Sequence, residues 1–129
     1  MFRFRLDGSS GVPPYLQLVH QVRQSLLLGY LQEGDRLPTV KDVAGNLAIN
    51  PNTVVKAYRQ LEHEGMARGR PGQGTFITAV SSPALPEEQQ ALRALLEDWL
   101  RAAEQAGLSD DEVTALIAVA RDDMRKERV

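Results

Sequence analysis

Between residues 52 and 63 the polar residues Asn52, Thr53, Lys56, Arg59, Gln60 and His63 recur at intervals suited to one face of a helix. Val54, Ala57, Tyr58 and Leu61 fall between them on the opposite face. The polar face holds no carboxylate, whereas a face that merely meets water usually mixes Lys with Glu. Asn, Gln, Lys and Arg are the side chains that donate to base edges in the major groove and to phosphate oxygens. The chemistry this implies is recognition of a polyanion carrying hydrogen-bond acceptors. Asn52, Thr53 and Lys56 sit at the helix start, where base contacts concentrate, with Arg59 one turn further on.

Two other places carry the same chemistry. Arg68 and Arg70 stand just before a Pro71-Gly72-Gln73-Gly74 tip, whose open backbone suits close approach to phosphates or a minor groove. Lys41 is placed near the start of a short preceding helix, within reach of a phosphate. The Gly-Gln-Gly tip alone is also what any tight turn uses, and Arg23 reads as a solvated charge.

Catalysis finds no comparable constellation. The acid pairs Glu87-Glu88 and Asp110-Asp111 fall at helix N-termini, where they complement the helix dipole, and Asp122-Asp123 lies on a polar helix face. His20 and His63 have no companions at ligand spacing, so neither a metal site nor a cofactor is expected. Gly72-Gln73-Gly74 lacks the Lys and the following helix of a phosphate loop. The chain reads as a non-enzyme.

The elements that must position these residues follow from the pattern. Residues 1–14 look extended, ending in Gly11-Val12-Pro13-Pro14. From Tyr15 to about Tyr30, Leu16, Val19, Val22, Leu26 and Leu27 recur at helical spacing, with Gly29 or Gly34 as the stop. Thr39 caps a short helix carrying Val40, Val43, Ala44 and Leu47. Asn50 then caps the third helix, with Pro51 at its first position, where no N–H is needed. Residues 66–78 read as a hairpin. Three helices and a hairpin are the order of a winged helix-turn-helix, the hairpin being the wing. The fold class is thus mainly α, with a winged helix-turn-helix over 1–80 and a two-helix segment over 81–129. Ser81-Ser82-Pro83 to Pro86 reads as a linker. A helix over 87–106 follows, and Ser109 with Glu112 forms a capping box for the last helix.

Composition is consistent with this division. The 129 residues carry a net charge of −2 and 43% hydrophobic residues, enough for one core. Residues 1–80 hold nine Lys/Arg against six Asp/Glu, whereas 81–129 hold six against eleven. Such asymmetry points to a polyanion partner for the first half. No cysteine is present, which fits a reducing cytosol. No apolar run reaches the ~18 residues of a membrane span, and the start is too charged for a secretory signal. A cytoplasmic protein without a membrane partner is expected.

The stretch Gly29 to Ile77 resembles the DNA-binding domain of the GntR family of bacterial regulators. Its marks are Gly34-Asp35-Arg36-Leu37-Pro38, Asn52-Thr53-Val54 through Ala57 to Leu61, Glu64-Gly65, and Gly72-Gln73-Gly74-Thr75-Phe76. The resemblance implies that Lys41, Asn50, Asn52, Thr53, Lys56, Arg68, Arg70, Gln73 and Gly74 lie at the DNA. Many family members carry Arg at the position of Pro51, so a contact there is lost. A tail of only two helices resembles the YtrA subfamily, whose tail serves mainly for dimerisation and whose members often regulate transporter genes. Leu92, Leu95, Leu96, Trp99, Leu100, Leu116, Ile117 and Met124 cannot be hidden by two helices alone. A second copy would supply a four-helix arrangement; folding back onto the first helix as a monomer is the rival. The expectation is a homodimeric repressor on a palindromic operator of double-stranded DNA, with transporter genes as the targets that the resemblance implies. The alternative is a protein-interaction module that uses the acidic tail. A small-molecule effector, if one exists, would have only the dimer seam or the space between the halves.

Overall fold

A computed structural model describes residues 2–78 and 86–128. The chain forms two compact units, Met1–Pro83 and Ala84–Val129. The first contains α1 (Pro14–Leu27), α2 (Val40–Leu47), α3 (Pro51–His63), β1 (Ala67–Arg70) and β2 (Gly74–Ile77); the second contains α4 (Pro86–Gln105) and α5 (Asp110–Glu127).

The first unit is a helical triad around one apolar core. Leu18 and Val22 of α1 and Val54, Ala57 and Leu61 of α3 are completely buried against one another's helices, with Leu37 and Ile77 sealing the side toward the hairpin. At ~25 cal/mol per Å² of apolar surface, such side chains supply the main stabilising term for the unit. The extended N-terminal residues are held onto α1 by two glutamines one turn apart. Gln21 accepts from the Arg5 N–H (2.8 Å) and donates to its carbonyl, and Gln17 does the same for Asp7. This brings Phe4 into the core beside Tyr58.

α1 is shorter than the apolar spacing predicts. Gly29, at φ 76°, ends it, and the Tyr30 N–H closes back on the Ser25 carbonyl at 2.8 Å. Leu27, counted in the apolar stripe, is 67% exposed, because the buried row runs through Leu18, Val22, Ser25 and Leu26. The expected caps form. Thr39 Oγ1 accepts from the Asp42 N–H at 3.1 Å, and Asn50 Oδ1 from the Asn52 N–H at 2.8 Å. Between α2 and α3, Ala48 adopts a left-handed φ of 54°, sharpening the turn of the helix-turn-helix without a glycine.

The hairpin is antiparallel, with Ala67 opposite Ile77 and Arg70 opposite Gly74. Pro71 and Gly72 (φ 73°) occupy its corner, and the Gln73 N–H donates to the Arg70 carbonyl at 3.0 Å. These are the residues that a type II turn selects.

In the second unit, Ser109 and Glu112 form the full capping box at the start of α5. Ala103 is the one buried side chain among the described residues of α4 and α5. Leu92, Leu95, Leu96, Trp99, Leu100, Leu116 and Met124 are all exposed, and Ile117 is half-buried. The linker expected from Ser81-Ser82-Pro83 lies outside the described residues.

Candidate nucleic-acid interface

α3 is oriented by its apolar row and by one polar anchor. The Tyr58 hydroxyl donates to the Pro38 carbonyl at 2.5 Å, tying α3 to the residues just before α2. Burial pushes the Tyr58 hydroxyl pKa well up, so it remains a donor at any ordinary pH. With Val54, Ala57, Tyr58 and Leu61 inside, Asn52, Lys56, Arg59 and His63 are exposed and Thr53 is half-buried. No acid stands in the first turn of α3, leaving the positive end of its dipole uncompensated.

One residue of that face is used otherwise. Gln60 is half-buried and donates its amide to Glu64 Oε2 at 3.1 Å. Glu64 in turn pairs with Arg23 of α1 at 2.5 Å, so Arg23 is an interhelix link as well as a surface charge. The Gln60 bond, with Arg23 next, holds the Glu64 carboxyl below the usual carboxylate range. Lys56 is positioned too, its Nζ lying 4.0 Å from the centroid of the Tyr15 ring at the start of α1.

Lys41 and Asn50 are exposed at the starts of α2 and α3, and the Asn50 side-chain oxygen is occupied as a cap. Arg68, Arg70 and Gln73 are exposed on the hairpin, and Gly74 is half-buried. The hairpin tip and the Thr39 cap of α2 line one open cleft, which brings Arg70 and Gln73 toward the start of α2. Among the described residues no group of three or more His, Cys, Asp or Glu could hold a metal ion. No helix among them is long and apolar enough to cross a membrane.

This arrangement matches a known family of DNA-binding proteins. Residues 14–77 fit the model of the bacterial regulatory proteins of the gntR family. The HTH-type transcriptional regulator Rv1152 of Mycobacterium tuberculosis is 34% identical over 119 residues, covering 92% of this chain and 94% of that one. The chain belongs to the GntR family. This GntR regulator is also 36% identical over 88 residues to the HTH-type transcriptional repressor YtrA of Bacillus subtilis, 68% of each chain being covered. Among solved structures it resembles YtrA from Sulfolobus acidocaldarius, described as a GntR-family transcription factor. That match has a TM-score of 0.55 and 26% identity, over 76% of this chain and 97% of that one. The expected mainly helical winged fold is therefore present, and the chain is a DNA-binding transcription regulator of YtrA type, not an enzyme.

Sequence reasoning missed Tyr15 as a partner of Lys56. The two are 41 positions apart, and only the packing of α1 on α3 joins them. It also left Glu64 out, although a Gln–Glu pair four apart at a helix end is a legible local signal.

Proposed function

We propose that this GntR regulator binds a palindromic operator as a homodimer and represses transcription from it. Residues 1–80 would bind DNA and 81–129 would join the two copies. In this reading Asn52, Thr53 and Lys56 reach base edges. Lys41, Asn50, Arg59, Arg68, Arg70, Gln73 and Gly74 meet the sugar–phosphate backbone or a groove wall. The observation that carries it is the exposed, acid-free row Asn52, Lys56, Arg59 and His63 on a helix whose other face is locked into the core.

Homodimerisation is supported by the tail. Leu92, Leu95 and Leu96 are 63%, 66% and 49% exposed, and Trp99 and Leu100 continue the same row along α4. An uncovered apolar row of this length is an interaction surface, and a symmetric second copy offers its own row to it. Repression is carried over from the B. subtilis relative, described as a repressor. Transporter genes as targets, and a cytoplasmic location, rest on the YtrA resemblance and the absence of cysteine.

Selection of bound sites from random duplex DNA with the purified chain tests this reading. The expected product is an inverted repeat with half-sites about one helical turn apart, protected symmetrically in a footprint. Recovery of no enriched sequence, or of an asymmetric site bound by one copy, would overturn it and favour a protein-interaction role for the acidic tail.

A further inference from the structure

The wing is wider than its hairpin. The Gly34 N–H donates to the Ile77 carbonyl (2.8 Å), the Ile77 N–H to the Asp35 carbonyl (2.8 Å), and the Leu37 N–H to the Thr75 carbonyl (2.9 Å). Arg36 pairs with Phe76 in an antiparallel bridge. Residues 34–37 thus run along the edge of β2 that β1 leaves free, as a third row.

The pleat then decides which side chains share a face. Residues directly opposite one another in an antiparallel sheet project to the same side. Phe76 is opposite Arg68 on one edge and opposite Arg36 on the other, and Arg70 is opposite Gly74. Arg36, Arg68, Arg70 and Phe76 therefore occupy one face, while Leu37, Ala67 and Ile77 are buried on the other.

The shared face is strongly cationic. None of its three arginines forms an ion pair among the described residues. The Glu62 carboxylate lies 3.6 Å from where a Cβ on Gly69 would stand, and Gly69 has the opposite pleat parity. The Arg70 guanidinium stacks 4.6 Å from the centroid of Phe76. On the other side of the row, Arg36 runs across Gly74; a Cβ there would stand 2.8 Å from Arg36 Nε. The Arg36 side chain is exposed and lines the cleft beside Arg70 and Gln73.

We propose that Arg36 is a further DNA ligand of this protein, its guanidinium taking a backbone phosphate through two parallel N–H donors beside the hairpin arginines. A planar fork with no protein carboxylate to satisfy it is suited to a phosphodiester. Gly74 leaves room for the side chain to reach the tip. The inference rests on the operator-binding reading and extends its contacts from the hairpin to the segment before α2.

The test is a salt titration of affinity, with the full chain and a duplex recovered by selection, for wild type, Arg36→Gln and Arg36→Lys. Each phosphate contact contributes about 0.9 to the slope of log affinity against log salt. Arg36→Gln is expected to reduce the slope by roughly 2 for a bound dimer, one contact per copy, while its melting temperature stays at the wild-type value. Arg36→Lys keeps the slope but, having lost the fork, binds several-fold more weakly. It also serves as the decisive variant should Arg36→Gln fail to fold. An unchanged slope in a folded Arg36→Gln, or Arg36→Lys binding as tightly as wild type, overturns the role of Arg36 and leaves operator binding standing. Wild-type affinity that ignores salt overturns operator binding itself, and this inference with it.

Discussion

Lys56 rests on Tyr15, the ammonium of α3 4.0 Å above the ring centroid of the first residue turn of α1. A lysine in water samples many rotamers, and a ring face under its ammonium restricts them while leaving its donors free. Tyr15→Leu should therefore weaken operator affinity by about 0.5–1 kcal/mol. Tyr15→Phe keeps the ring and should restore it. Lys56→Ala should cost ~1–3 kcal/mol and relax specificity at one base position. The two effects should not add in the double variant. A double-mutant cycle by fluorescence anisotropy reads this, and strict additivity would refute the positioning.

Two glycines should respond to alanine in opposite directions. Gly74 has φ 123°, and a Cβ there would press on Arg36 Nε, so Gly74→Ala is expected to destabilise by ~1–3 kcal/mol. Gly45 lies inside α2 with nothing within 4 Å of its Cβ position, so Gly45→Ala should stabilise by ~0.5–1 kcal/mol. Urea denaturation of the two variants measures both signs.

Tyr58→Phe removes the donor to the Pro38 carbonyl while keeping the ring in the core. The expected loss is ~1 kcal/mol, more if no water reaches the carbonyl. Thermal unfolding provides the check; a neutral substitution would mean that the bond contributes nothing net to holding α3 against the segment before α2.

The Glu64 link should make stability acid-sensitive in one direction. Its carboxyl is held below the ordinary value by Gln60 and Arg23, so the folded state favours the charged form. The contribution is complete above the unfolded value of 4.5 and is lost as pH falls through the lower folded value. The pair is 42% and 31% exposed, which limits the effect to within ~0.2–1 kcal/mol. Glu64→Gln should flatten that acid limb in a pH series of denaturation midpoints; a limb as steep as wild type would locate the sensitivity elsewhere.

Leu96→Glu combined with Leu100→Glu should convert the proposed dimer to a monomer, because the seam proposed along α4 would then hold unpaired charge. Sedimentation velocity measures the state directly. Trp99, the one tryptophan of the chain, offers a second reading: its emission should shift to the red on dissociation. A dimer that persists in the double variant would remove α4 from the interface.

The helices, their caps and the hairpin were legible because their determinants are local. Thr39, Asn50 and Ser109 are followed by the N–H groups they accept from, Gly29 and Gly65 take the left-handed backbone that ends α1 and α3, and apolar residues recur at the helical period. The acid-free face of α3 was visible for the same reason. The engagement of Gln60 on that face was not legible, because its acceptor, Glu64, is itself held by Arg23 of another helix. Leu27 is exposed beside the buried Leu26 because apolar spacing alone does not say which of two adjacent leucines lies on the row that α1 turns to the core.

Spacing along the chain determined which residues could face a polyanion and which could form a core. Tertiary packing alone decided that Tyr15 lies beneath Lys56 and that Arg36 joins Arg68 and Arg70 on one face of the wing. Helical and turn preferences act over three or four residues, whereas these contacts join segments 32 or more positions apart. They exist only once burial of the shared core has fixed the helices and the sheet against one another.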